Sequence, residues 1–155
     1  MTTTAFAKID LHLHLDGSLS IPFLKSLALE NGLTMTDSEV RNAVTVSSSC
    51  QSLPEYLRCF DLPTRLLQTE KALTLATFDV IQQLENQGLF YAELRFAPQH
   101  YTRLGLTQQQ ASGFDTNVEF HPGCGFSNGT NFNTSAAGTA VKKVQIGRAS
   151  CRERV

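Results

Sequence analysis

The sequence predicts an α/β protein built from two strands and several helices. Apolar and polar residues alternate with period two over residues 8–16 and again over residues 89–96, which is the pattern of a half-buried strand. Between these segments lie helix-capping residues, each followed by apolar residues at near-helical spacing. The chain has 155 residues, which is enough for one ordinary domain.

The first predicted strand carries the most informative motif, His12-Leu13-His14-Leu15-Asp16-Gly17. Because alternate side chains share one face of a strand, four ionisable side chains lie together. They are Asp10, His12, His14 and Asp16. Imidazole and carboxylate are ligands that zinc prefers, and burying unpaired ionisable groups is costly. The motif therefore favours a metal site over a solvated polar face, which a bare His-x-His would also fit.

Capping residues divide the segment between the strands into helices. Four helix starts are predicted, at Ser20, at Thr36 or Asp37, at Ser52 and at Thr69. Asn31-Gly32 should end the first helix and Gln87-Gly88 the last, while Pro63 should interrupt the third. This arrangement indicates a helical excursion between the first strand and the next regular β/α pair.

The second predicted strand places Glu93 and Arg95 on the same face, where they should pair. The alternative is a solvated strand face with a weak ion pair. Pro98 ends the strand, and Thr107 should cap a further helix that begins at Gln108 and stops after Gln110.

Composition excludes several classes of protein. With 13 basic and 14 acidic residues, the net charge is −1, so nothing favours nucleic acid or an anionic membrane. No run approaches the roughly 18 apolar residues of a membrane span, and the N-terminus lacks the apolar core of a secretory signal. The cysteines lack Cys-x-x-Cys spacing, which predicts free thiols in a cytoplasmic protein. They are Cys50, Cys59, Cys124 and Cys151.

Two blocks of sequence resemble the adenosine deaminase family of metal-dependent amidohydrolases. The first runs over residues 9–19, and the second combines Glu70, residues 91–99 and Gly105-Leu106-Thr107. The resemblance extends from about Lys8 to Gln110. It implies the N-terminal part of a (β/α)8 TIM barrel, a fold that needs about 250 residues, so the barrel would be incomplete.

The resemblance also implies a reaction, the hydrolytic deamination of adenosine or deoxyadenosine to inosine and ammonia. One Zn²⁺ per complete site would lower the pKa of a water molecule toward about 7. By motif match, His12 and His14 are expected as metal ligands, and His14, Asp16 and Gly17 as substrate-binding residues. Asp16 would hydrogen-bond the ribose of the purine nucleoside, and Gly17 would let the backbone approach the ligand.

The remaining machinery of the family has no matching motif. A third His, an Asp ligand, a general-acid Glu and a water-orienting His come from later strands, so no catalytic residue is assigned and the chain is predicted to be inactive by itself. His100 and His121 are interpreted as loop histidines without a ligand role. The oligomeric state is left open.

Three alternatives stay open. The parent protein is another amidohydrolase, such as an adenine or AMP deaminase or a cyclic amide hydrolase; the chain is a small metal-binding module, which would need further ligands; or it is a misassembled gene product without function.

The last third of the chain changes character. Residues 111–145 are rich in Gly, Ser, Thr and Asn, show no strand or helix period, and are predicted to have low order. Residues 146–155 resemble the translation of a short-read sequencing adapter. The predicted organisation is a partial barrel over 1–110, a divergent and possibly frameshifted tail over 111–145, and an artefact over 146–155.

Overall fold

The computed structural model describes residues 8–113, 133–134 and 140–145. The strands are β1 (Lys8–His14), β2 (Leu89–Phe96), β3 (Asn133–Thr134) and β4 (Ala140–Gln145). The α-helices are α1 (Ile21–Glu30), α2 (Asp37–Val44), α3 (Leu53–Leu57), α4 (Asp61–Leu66), α5 (Glu70–Asn86) and α6 (Gln108–Gly113). Short 3-10 helices lie at Arg58–Phe60 and Pro98–Tyr101.

The two predicted strands pair in parallel, with His14 opposite Arg95, and the helices α1 to α5 connect them. The pairing continues past the end of β1, where the Leu15 backbone N–H donates to the Arg95 carbonyl at 2.9 Å. The apolar face of the first strand is buried only toward this end: Leu15 is fully buried, whereas Ile9 is 60% exposed. The C-terminal ends of β1 and β2 are therefore firmly joined.

Helix α5 supplies a large part of the hydrophobic core. Its predicted apolar face is buried, and so is Thr77, whose Oγ1 donates to the Leu73 carbonyl at 3.0 Å. Buried residues from β2 complete this part of the core: Ala92, Leu94 and Phe96. The alternation predicted for β2 is confirmed, because Glu93 and Arg95 lie on the opposite face and are only partly buried.

The predicted helix starts are confirmed, since each capping hydroxyl accepts a backbone N–H of the first turn. Thr36 rather than Asp37 caps α2, and the Glu39 carboxylate completes a capping box. The predicted interruption at Pro63 is wrong. The break lies earlier, at Arg58–Phe60, and Pro63 sits in the first turn of α4, where its missing N–H leaves no helical hydrogen bond unmade.

Part of the predicted tail forms strands. Helix α6 runs to Gly113, so the prediction that it stops after Gln110 is wrong. Strand β4 pairs antiparallel with β2, and β3 pairs antiparallel with β4. The expectation that residues 111–145 lack strands is therefore wrong for these two segments. Pairing along a free sheet edge uses backbone N–H and C=O groups that nearly every residue offers, so composition did not reveal it. None of the described helices is long and apolar enough to cross a membrane.

Candidate functional site

A cleft of about 860 Å³ lies at the C-terminal ends of β1 and β2. Its floor comes from His14 and the loop that follows β1, and one wall comes from the helical excursion between the strands. The opposite wall comes from the end of β2 and the 3-10 helix after it, including Phe96 and His100. Since the ends of both parallel strands meet there, His14, Asp16 and Gly17 of the β1 motif line the cavity, as expected for a barrel, whereas His12 does not line it.

The rings of His12 and His14 lie against each other at the C-terminal end of β1. Their Nε2 atoms lie 3.2 Å apart, with ring centroids at 5.2 Å and an interplanar angle of 35°. Two imidazole nitrogens bound to one tetrahedral zinc ion are separated by about 3.3 Å, so the pair fits a shared cation. The same separation also allows an N–H···N hydrogen bond between neutral rings.

Asp10 does not join this pair through its carboxylate. Its Oδ1 accepts the His12 backbone N–H at 2.9 Å, a local turn that occupies the oxygen. Within the described residues, no group of three or more His, Cys, Asp or Glu side chains is arranged to hold a metal ion. His12 and His14 are thus two donors of an incomplete set.

Asp16 presents an unused acceptor to the cleft. Its Oδ2 accepts the hydroxyl of the fully buried Tyr101 at 3.4 Å, and its buried Oδ1 has no hydrogen-bond partner among the described residues. Burial raises the pKa of Asp16, while His14, its own backbone N–H and His100 oppose the shift. Burial and the Asp16 carboxylate also raise the pKa of Tyr101. A buried orphan acceptor beside a cavity is the feature expected of a group that meets a ligand.

Gly17 has a steric role that its place in the motif did not reveal. A Cβ at this position would lie 3.1 Å from Cε1 of Phe60, and the backbone of Gly17 does not adopt a positive φ. A larger residue at this position would therefore press on the Phe60 ring. Approach of a ligand to Gly17 stays a prediction.

His100 lies on the cleft wall, in the 3-10 helix Pro98–Tyr101, and its proximity is one of the influences that lower the pKa of Asp16. Sequence reasoning assigned it to a loop without a role. His121 lies outside the described residues. Tyr101 was missed altogether, since nothing in its sequence neighbourhood links it to Asp16, 85 positions away.

The expected pair of Glu93 and Arg95 is confirmed at 3.7 Å between Oε2 and Nη2. The Tyr91 hydroxyl donates to Glu93 Oε1 at the shorter distance of 2.9 Å. Arg95 Nη2 also donates to the Leu11 carbonyl at 3.4 Å, which links β2 back to β1. The contacts from Tyr91 through Glu93 and Arg95 to Leu11 therefore link β2 to β1 below the site.

A sequence profile of the adenosine deaminase family matches residues 7–119. This chain belongs to the adenosine deaminase family. An adenosine deaminase of Haemophilus ducreyi is 47% identical to it over 109 residues, which are 68% of this chain and 32% of that protein. An adenosine deaminase of Lactococcus lactis is 42% identical over 106 residues, 67% of this chain and 30% of that protein. The family match extends beyond Gln110, where the resemblance was expected to stop.

Solved structures of related enzymes confirm the fold class. An adenine deaminase from Arthrobacter aurescens superposes with a TM-score of 0.56 at 25% identity, covering 67% of this chain and 32% of that chain. An Arabidopsis ADAL complexed with GMP gives a TM-score of 0.52 at 28% identity, covering 68% and 31%. These are TIM-barrel enzymes, and this member of the adenosine deaminase family spans about a third of their length.

Proposed function

We propose that this chain carries the N-terminal part of the metal site and nucleoside cleft of an enzyme that deaminates adenosine or deoxyadenosine to inosine and ammonia. The observation that carries the proposal is the convergence of the His12 and His14 Nε2 atoms, 3.2 Å apart, at the strand end that leads to Asp16. Family membership supports the same reaction, because relatives over residues 7–119 are adenosine deaminases.

His12 and His14 would hold the zinc ion through their Nε2 atoms. When bound, zinc lowers the pKa of water toward about 7 and so supplies a nucleophile at neutral pH. Structural and catalytic zinc sites take three or four protein ligands, so two imidazoles alone should bind the ion weakly.

Asp16 would accept a hydrogen bond from a ribose hydroxyl through its free Oδ1. A ligand that fills this position removes the penalty of an unpaired buried acceptor, which favours nucleosides over the bare base. Apolar side chains that line the cleft would cover the purine ring: Tyr56, Leu57, Phe60 and Phe96. Tyr56 and Phe60 pack edge to face, with centroids 5.6 Å apart, and form one continuous aromatic wall.

Binding of adenosine and of zinc to the purified chain tests this proposal. We expect adenosine to bind, to shift the NMR signals of Asp16 and Gly17, and to bind more weakly to Asp16→Asn than to a matched Asp61→Asn control at the cleft rim. Zinc should perturb His12 and His14 together, and His12→Ala should abolish that response. Failure of adenosine to bind the wild-type chain would overturn the nucleoside proposal.

We also propose that the chain by itself does not turn adenosine over. Two imidazole donors fall short of the three or four protein ligands that a zinc site takes, and no motif in this sequence matches the general-acid Glu of the family. Incubation with zinc and adenosine, followed by ultraviolet absorbance, should show no inosine above the His12→Ala control. Zinc-dependent inosine formation at enzymatic rates would contradict this.

A phosphate-bearing purine is the second candidate ligand. Arg65 and Arg103 line the same cleft, and each is exposed. The related Arabidopsis ADAL structures were determined with GMP and with IMP. If AMP is the ligand, it should bind more tightly than adenosine, and Arg65→Gln together with Arg103→Gln should remove only that advantage.

We propose further that the end of the sequence is foreign to the enzyme. The adapter-like composition of residues 146–155 and the end of the family match at residue 119 support this. Resequencing the locus tests it, because an uninterrupted genomic frame through Gln145 and Val155 would show that these residues are coded.

A further inference from the structure

Two side chains on α5, Asp79 and Gln83, form hydrogen bonds with the loop that follows β1. Asp79 accepts three hydrogen bonds through its two carboxylate oxygens. The Ser20 backbone N–H donates at 2.7 Å, the Ser20 hydroxyl at 2.6 Å, and Gln83 Nε2 at 3.0 Å. These three hydrogen bonds converge on one carboxyl group and join α5 to the loop after β1.

Gln83 forms a hydrogen bond with the loop itself, at Ser18. Its Nε2 also donates to the Ser18 carbonyl at 2.9 Å, 65 positions away in sequence. The Ser18 hydroxyl in turn donates to the His14 carbonyl at 2.6 Å. Ser18 and Ser20 are thus both anchored, and the short turn that carries Asp16 and Gly17 lies directly before the first anchor.

The Ser20 hydroxyl acts both as a donor and as an acceptor in this arrangement. It donates to Asp79 and accepts the Phe23 backbone N–H at 3.3 Å as the cap of α1. The Asp79 carboxylate thereby sits at the N-terminus of α1, where the helix dipole favours negative charge. The start of α1 and the end of the loop are set by the same carboxylate.

Neither Asp79 nor Gln83 lines the cleft. Any effect on a ligand must pass through the loop. We propose that Asp79 and Gln83 are positioning residues, which hold Asp16 and Gly17 in the conformation that meets the nucleoside. The ligand part of this inference rests on the proposed function. Without these hydrogen bonds, only a fraction of the molecules would hold the loop in the binding conformation. The apparent Kd for adenosine would then rise by the inverse of that fraction.

The experiment uses the full chain and three variants. Asp79→Asn places an amide N–H₂ against donors and removes the charge, whereas Gln83→Met keeps the charge and removes both donated bonds. Thr77→Val is the matched control, because it removes one buried hydrogen bond on the same helix without touching the loop. For each variant, adenosine affinity is measured by NMR titration and amide hydrogen exchange is followed at Gly17 and Ser18.

We expect adenosine to bind about tenfold more weakly to Asp79→Asn and about threefold more weakly to Gln83→Met, with faster exchange at Gly17 and Ser18 in both. Thr77→Val should lower stability while leaving affinity and loop exchange unchanged. Equal affinity in wild type and both loop variants, or an equal loss in Thr77→Val, would overturn the inference.

The two proposals can fail separately. If wild type does not bind adenosine, the proposed function is wrong, and loop exchange alone then decides whether Asp79 and Gln83 position the loop. Faster exchange confined to the loop variants supports positioning, and unchanged exchange refutes it. If Asp79→Asn does not fold, Gln83→Met decides both readouts.

Discussion

Gln68 joins the helical excursion to the wall that carries His100, and its removal should destabilise the whole chain. Gln68 is 3% exposed, and its side-chain amide makes three hydrogen bonds. Its Nε2 donates to the Thr64 carbonyl at 2.6 Å and to the His100 carbonyl at 2.8 Å, and its Oε1 accepts the Arg103 N–H at 2.9 Å. One buried amide thus satisfies three backbone groups.

The perturbation is Gln68→Met, which keeps the length of the side chain and removes its polar end. Three backbone groups lose their partner, and each such loss costs about 1 kcal/mol. We expect the free energy of unfolding to fall by about 2–4 kcal/mol in total, a large part of the stability of a small domain. Part of this loss is recovered if water reaches the Thr64 carbonyl.

Urea unfolding of the full chain, followed by circular dichroism, measures the effect. Gln82→Met is the matched control, because Gln82 is exposed on α5 and makes the same chemical change without a buried partner. The control should stay within about 0.5 kcal/mol of wild type. A Gln68→Met variant as stable as Gln82→Met would refute the reasoning that these three hydrogen bonds stabilise the cleft wall.

Three further outcomes are expected. The pKa of Asp16 is raised above its usual value of 3.8. The protonated side chain therefore stabilises the folded chain below pH 3.8, and this stabilisation is lost as the pH rises through the raised pKa. Asp16→Asn should therefore be more stable than wild type at neutral pH and equal to it in acid, as a pH series of urea unfolding would show; lower stability at neutral pH would contradict it. Gly17→Ala should cost about 1 kcal/mol by pressing on Phe60, and Phe60→Leu in the same chain should relieve it, in a double-mutant cycle of unfolding free energies. Thr69→Ala should cost about 1 kcal/mol through loss of the bond from the Ala72 N–H, whereas Thr69→Ser should cost less; equal losses would show that the cap contributes nothing.

Much of the local structure could be predicted from the sequence, because local patterns determine it. The limits of β2 follow from its alternation. Helix α5 follows from a capping threonine, apolar residues at helical spacing along its 17 residues, and a glycine at positive φ after its end, Gly88. The placement of His12 and His14 on one face is a consequence of strand geometry alone. The close approach of their Nε2 atoms does not follow from strand geometry, because it depends on side-chain rotamers that packing selects.

The contacts that shape the cleft lie beyond such reasoning. Gln68 meets Arg103 across 35 positions, Asp79 meets Ser20 across 59, and Tyr101 meets Asp16 across 85. Each of these residues looks like an ordinary polar or aromatic side chain in its own segment. Only the return of the chain through α5 and β2 brings them together, so local propensity carries no signal for them.

The antiparallel pairing of β4 has a consequence for how a barrel could be completed. β4 pairs with six residues of β2, from Tyr91 to Phe96, along the edge opposite β1. Every neighbouring strand of a (β/α)8 barrel is parallel, and the strand beyond β2 would use these same backbone groups. Pairing with β4 and closure of a barrel are therefore mutually exclusive, and any polypeptide that supplies the later strands must compete with β4 for this edge.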